Sequence, residues 1–276
     1  MDPHQYLPAS LTDAIQSLWK NSHLVWLMTK RDILGRYQNS LMGIAWSFIT
    51  PLLMLTVYSF VFSVAFPVRW NNTSEYGPAY FPVILFSGLI VHGFFSECIN
   101  KAPGLITANT NFVKKVVFPL EILPWVTIGS ALFHTGVSTL VLLGAVILIT
   151  QQLHWTIVFL PIVLLPLILA TAGLTWLFAA LGVFVRDIKQ VAEIASTAML
   201  FISPIFYPAT AIPEKYQFLI QLNPLAFIIE STRKTLLFGE MPNWSYWFLN
   251  LVIGLLIAQS GYWWFQRTRK GFADVL

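Results

Sequence analysis

Charge is scarce in this chain of 276 residues: 16 Lys or Arg and 12 Asp or Glu make up 10% of the sequence, where a soluble domain of this length carries about 69 charged residues. That deficit excludes an ordinary soluble enzyme. Cysteine is reduced to Cys98 alone, so an internal disulfide and a multi-thiol metal site are both excluded, and the residue reads as small apolar filler. Low-complexity tracts are missing, which removes the disordered and collagenous classes. The start, Met1-Asp2-Pro3-His4, lacks a basic stretch followed by an apolar one, so no cleaved signal peptide is expected. No G-x-x-x-x-G-K-[ST] motif occurs, so the chain has no P-loop with which to hydrolyse nucleotide. If it serves active transport, the energy arrives from another polypeptide.

What is present is apolar: 57% hydrophobic residues and 15% aromatics, with a mean hydropathy of +0.69. A helix crosses a hydrocarbon core of about 30 Å with about 20 apolar residues, so stretches free of Asp, Glu, Lys and Arg are the ones that matter. Five occur, at 37–68, 76–96, 122–185, 194–213 and 241–266. The third is long enough for two helices and is broken by Gln151-Gln152-Leu153-His154-Trp155. The expectation is therefore an all-α polytopic membrane protein, a single transmembrane domain over 1–276, with six spans near 41–66, 78–98, 122–149, 156–185, 191–207 and 245–265. With both termini placed inside, the inner segments hold 12 basic residues and the outer ones 4, a positive-inside asymmetry that accounts for the net charge of +4 without nucleic acid. Trp247 and Trp263, about 24 Å apart along a helix, suit two interfacial aromatic belts.

Two segments do not span. Ser10-Leu11-Thr12-Asp13 has capping-box spacing, and Leu11, Ala14, Ile15, Leu18 and Trp19 follow on one helical face, which predicts an amphipathic helix on the membrane surface within cytoplasmic segment 10–36. The outer segment 208–243 contains a 14-residue apolar run, 216–229, interrupted by Asn223-Pro224. That run is too short to cross, and it predicts a re-entrant helical hairpin.

Chemistry is sparse. Glu97, Glu121 and Glu193 sit at the inner ends of spans, where snorkelling anchors or loop ion pairs are the simple reading. His92 and His134 have no ligand neighbours at metal spacing and read as hydrogen-bonded bundle histidines, so no metal site is expected. Asn243-Trp244-Ser245 matches a glycosylation sequon, a pattern short enough to arise by chance. The inner loop Asn111-Phe112-Val113-Lys114-Lys115 mixes apolar and basic residues and reads either as a partner-docking helix or as an ordinary positive-inside loop. Aromatic residues on the first and fifth spans, Trp46, Tyr58, Phe62, Phe201, Phe206 and Tyr207, could line a lumen for amphipathic sugar rings; bundle core or lipid contact is the alternative for each.

Taken together, TKRDILGRYQNSLMGIAWSFITPLLMLTVYSFVF from Thr29, NTNFVKKVVFPLEILP from Asn109, GVFVRDIKQV from Gly182, SPIFYP from Ser203 and LNPLAFIIESTRKTLLFG from Leu222 resemble the membrane subunits of polysaccharide-exporting ABC transporters, the type-2 exporter permeases of O-antigen, capsule and teichoic acid. The resemblance implies a homodimer in the bacterial inner membrane bound to two nucleotide-binding ATPase subunits, which would hold ATP and Mg. It implies a polyprenyl-diphosphate-linked glycan as substrate, moved between the first and fifth spans, and no enzymatic role for this chain. It also implies that the Phe112 loop is the coupling helix and that Asn223, Pro224, Glu230 and Arg233 belong to a periplasmic gate segment. A type-2 permease for a lipid or drug, or a polytopic lipid-linked glycosyltransferase, is the alternative.

Overall fold

A computed structural model describes residues 9–62, 80–114, 118–208, 213, 215 and 223–276, and among these every regular element is helical. Helix α1 (Leu11–Lys20) starts in a reciprocal cap: the Ser10 hydroxyl accepts from the Asp13 amide and the Asp13 carboxylate accepts from the Ser10 amide. Two otherwise orphaned amide donors are satisfied this way. Helix α2 (Ser22–Arg36) follows directly, and a short turn at Gly43–Ala45 leads into α3 (Trp46–Phe60). Next come α4 (Phe81–Lys101), the short α5 (Thr110–Lys114) and α6 (Leu123–Thr150).

The polar break after α6 is a sharp one. Gln151 takes the left-handed conformation with φ 55° and donates its amide to the Ile147 carbonyl, closing the helix as a glycine-type C-cap would. The turn Trp155–Phe159 then delivers the chain into α7 (Leu160–Phe184). Helix α8 (Ile188–Ile202) has 15 residues, a rise of about 22 Å, and does not reach the 207 expected of a fifth span. It stops because Ser203 is extended, at φ −77° and ψ 147°, the conformation that the following Pro204 demands. Helix α9 (Pro224–Arg233) is capped by Asn223 and runs into a π-helical turn, Lys234–Phe238. Helix α10 (Trp244–Thr268) is capped by the Asn243 carbonyl oxygen, which accepts from Ser245 and Tyr246. Helix α11 (Phe272–Val275) ends the chain.

Among the described residues, five stretches are long and apolar enough to cross a membrane: Gly43–Phe60, Phe81–Gly104, Leu120–Thr150, Trp155–Phe184 and Trp244–Val275; the expected span near 191–207 is not one of them. The closest pairing joins α7 and α10, and small residues permit it. Gly254, Ala258 and Gly261 form a stripe on α10; a Cβ on Gly261 would sit 2.0 Å from the Gly173 carbonyl oxygen, and one on Gly173 would sit 2.3 Å from that of Ile257. Backbone therefore meets backbone along this seam. Helix α4 is the central post, packed by α3, α6, α7, α8 and α9. Trp176 on α7 is fully buried, edge-on to both Trp125 at 5.3 Å and Tyr262 at 5.1 Å, and donates its indole N–H to the Glu121 carbonyl.

Candidate functional site

A cleft of about 590 Å³ lies between α3, α4 and α6, closed at one end by the end of α2. Its α3 wall is Ser47, Thr50, Pro51, Met54 and Tyr58, facing Phe86, Ile90 and Gly93 of α4 and Thr135 and Ser138 of α6. Hydroxyls, rings and aliphatic side chains share these walls, and the charges lie together at the α2 end. There Glu97 is the hub, accepting from Arg36 at 2.8 Å and Lys101 at 3.1 Å and contacting His134 Nδ1 at 3.0 Å. Lys101 also reaches Asp32 at 3.2 Å, and Asp32 accepts from the Ser130 hydroxyl at 2.6 Å. Helices α2, α4 and α6 are thus laced together by one network. Burial raises the pKa of Tyr37, beside this network, and Arg36 pulls it part of the way back.

The sequence-derived aromatic set divides. Tyr58 lines the cleft. Phe62 packs edge-on to Phe81 at 5.4 Å, while Trp46, at the start of α3, is exposed and does not line the cleft. Phe201 stacks on Phe206 at 6.0 Å, and the Tyr207 hydroxyl donates back to the carbonyls of Phe201 and Ile202. Those bonds satisfy carbonyls that the end of α8 leaves open. The cleft is lined by Tyr58 and by none of Phe201, Phe206 and Tyr207. Most of α3, and the side of α8 carrying Val191, Ile194, Phe201 and Ile202, stay uncovered.

At the same end as the charged network, Asn111 is exposed on α5, but the Phe112 ring stacks on Phe118 at 4.4 Å and, with Val113, packs onto the core. Lys114 closes α5, and Lys115 lies outside the described residues. A second hub holds this corner: Glu121 accepts from Ser17 of α1 at 3.0 Å and pairs with Arg269, whose other arm donates to the Phe118 carbonyl at 3.0 Å. Of the two simple readings of Glu97 and Glu121, anchors or loop ion pairs, the structure shows ion pairs, to Arg36 and Lys101 and to Arg269; Asp32, which joins the first network through Lys101, is not singled out by the sequence. The i, i+4 spacings of Glu97 with Lys101 and of Asp32 with Arg36 are the local signals.

At the opposite end, the described part of the gate segment is α9 and the turn after it; 209–212, 214 and 216–222 lie outside the described residues. Asn223 is buried, Pro224 opens α9, and Arg233 is fully buried with Glu230 2.8 Å away. Burial lowers the Arg233 pKa, and the Glu230 carboxylate opposes that shift. His92 is hydrogen-bonded to the Ser196 carbonyl at 3.0 Å, pinning α4 to α8, and no metal-binding cluster occurs among the described residues.

A family model described as "ABC-2 type transporter" matches residues 23–237. The O-antigen export system permease protein RfbA of Klebsiella pneumoniae is 28% identical over 92% of this chain and 95% of its own length. The protein of the same name from Myxococcus xanthus is 24% identical over 94% and 98%. The polysialic acid transport protein KpsM of Escherichia coli is 27% identical over 76% of this chain and 79% of its own. With five apolar helices fit to span and a family match over most of its length, the chain is a multi-pass membrane protein that belongs to the ABC-2 type transporter family.

Proposed function

We propose that the chain is the permease of an ATP-driven exporter that moves a lipid-linked polysaccharide out across the bacterial inner membrane. Two copies form the path and two ATPase subunits drive it. The observation that carries this reading is the cleft of about 590 Å³: its walls mix hydroxyls and rings with aliphatic side chains, its charges are collected at one end, and its α3 side belongs to a largely uncovered helix. Such a wall can slide past sugar rings by stacking and transient hydrogen bonds without a fixed high-affinity site. An enclosing second copy would complete it along α3 and α8. The names of the relatives, O-antigen export and polysialic acid transport, support a polysaccharide over a lipid or drug.

In this reading the basic end of the bundle and both termini face the cytoplasm, which agrees with the positive-inside asymmetry. Helix α1 lies in the inner interface: Ala14 is its buried residue, while Ile15 and Trp19 remain exposed, as a lipid-facing stripe requires. The coupling contact to the ATPase falls on Asn111 and the Lys114-Lys115 pair, with Phe112 holding the loop in place from within. ATP and Mg belong to the partner. Glu230 and Arg233 belong to the periplasmic exit.

The test is thiol accessibility in a Cys98→Ser background of the permease co-expressed with its ATPase. Cysteines at 58, 62, 201 and 206 should become reactive to a water-soluble thiol reagent during transport, and deletion of the gene should remove the surface polymer. Unreactive positions in every state, with neighbouring faces labelled, place the path elsewhere. Normal surface polymer with a changed lipid or drug phenotype favours the alternative substrate.

A further inference from the structure

The end of α8 presents a problem of unpaired backbone. Once the helix stops at Ile202, the carbonyls of Pro204 and Ile205 lie beyond its hydrogen-bond ladder, and Ser203, Pro204 and Ile205 are buried. Buried carbonyls need donors. Arg233, the last residue of α9, supplies them: Nη1 donates to the Pro204 carbonyl at 2.7 Å and Nη2 to the Ile205 carbonyl at 3.0 Å. Its Nε donates to the Ile84 carbonyl of α4 at 3.3 Å, and Nη1 also meets Glu230 at 2.8 Å. A planar fork of fixed donors suits several fixed acceptors in a way a lysine ammonium does not. Helix α4 makes room with Gly88, where a Cβ would stand 3.1 Å from Nη2.

The other end of α9 is tied to the same turn. Asn223 accepts from the Leu225 amide at 2.9 Å, capping α9, and donates its side-chain amide to the Ser203 hydroxyl at 2.9 Å. One turn of chain, 203–205, is therefore held from both ends of a single ten-residue helix, with α4 gripped by the same guanidinium.

We propose that Arg233 and Asn223 fasten α9, the 203–205 turn and the outer end of α4 into one body, so that the exit side of the path moves as a unit and α9 does not swing away from α8. Arg233 is then a positioning residue of the exit, acting through the turn it holds. This rests on the permease reading for its place in a transport cycle.

The experiment measures the distance between spin labels at Ile202→Cys and Lys234→Cys in a Cys98→Ser permease, purified with its ATPase and diluted with unlabelled subunits so that the pair within one chain is read. Both positions are half-exposed. With Arg233 present, the distance distribution should be the same without nucleotide and with ATP and vanadate. In Arg233→Lys and Arg233→Met it should broaden or become state-dependent, by about twofold in width or more. Asn223→Ala should do the same to a smaller extent and serves where an Arg233 variant fails to accumulate. A shift between states in the Arg233 protein overturns the single-body proposal, and an unchanged distribution in the variants overturns the assignment to Arg233. Failure of the permease reading shows separately, as absence of a co-purifying ATPase, while broadening without nucleotide still reports on the fastening.

Discussion

Helices α3 and α4 are built from sequence of almost equal mean hydropathy, 1.5 and 1.6, yet 72% of the apolar stretch is buried in α4 and 11% in α3. Hydropathy reports only that a segment avoids water. It does not say whether lipid, a neighbouring helix or a second subunit covers it, because lipid tails are as apolar as a protein core. The difference lies in where small and polar residues fall. Helix α4 carries Gly88, Ser87, His92, Ser96 and Glu97, each in contact with another element or its own backbone in the bundle. Helix α3 offers large side chains, Leu52, Leu53, Met54, Val57 and Phe60, to the outside on several sides. A helix held on most of its sides frames the bundle, and one held on few is free to meet another surface.

The largest expected effect comes from the tightest contact of the framework. Gly261→Leu in α10 has no room, since the nearest atoms belong to the α7 backbone, and the variant should yield no monodisperse protein in detergent. Gly144→Leu, with open space around its Cβ position, should purify like the parent. Equal recovery of the two would contradict the seam between α7 and α10. Next in size, Phe94→Ala on α4 should lower unfolding stability by about 2–3 kcal/mol, the packing part of a core truncation. Phe48→Ala on exposed α3 should leave the isolated subunit nearly unchanged and act instead on assembly and export. Thermal unfolding of both variants in one detergent reads the contrast directly.

Glu97→Gln should cost about 1–3 kcal/mol, because Arg36, Lys101 and His134 lose the negative charge they share and one carboxylate oxygen becomes an amide donor, while Arg36 and Lys101 remain partly in water. It should also loosen α2 from α4, detectable as faster proteolysis near residue 36. A comparable loss, about 1–2 kcal/mol, is expected for Glu121→Arg or Arg269→Glu alone, with part of it regained when both are exchanged; no regain in the double variant would mean the pair does not act as one. The smallest effect is expected from Trp46→Ala, within about 0.5 kcal/mol for the isolated subunit. Any larger loss there would mean that α3 is held more firmly than its exposure indicates.

Much of the helix plan was legible because each feature rests on local chemistry. The capping box at Ser10, the break at Gln151-Gln152 and the Asn223-Pro224 start of α9 are satisfied or enforced within a few residues. The end of α8 was misplaced because the uncharged stretch continues to Pro213, whereas backbone geometry at Ser203-Pro204 stops the helix at Ile202. Of the aromatic set, Tyr58 reached the cleft while Phe201, Phe206 and Tyr207 close the end of α8. Composition weighs every ring alike, and only their neighbours separate them. The Phe112 loop was found by its mix of residues, but the ring's commitment to Phe118 was invisible, since nothing in the six-residue spacing specifies a stack.

The sequence by itself determined that this is an all-helical membrane protein and where five of its apolar helices fall, since those follow from hydrophobic length, charge placement and local caps; a sixth span near 191–207 is not among the five candidate spans. The sequence also carried, in scattered motifs, the resemblance that led to its family. Only the tertiary structure decided which helix is the central post and which faces are left open. It alone brought Asp32, Arg36, Glu97, Lys101 and His134 to one end of a cleft, and joined Arg233 to carbonyls 28 and 149 residues away. Those pairings depend on the packing of small residues such as Gly173 and Gly261 and on the need of buried polar groups for partners, and both are settled between segments far apart in the chain.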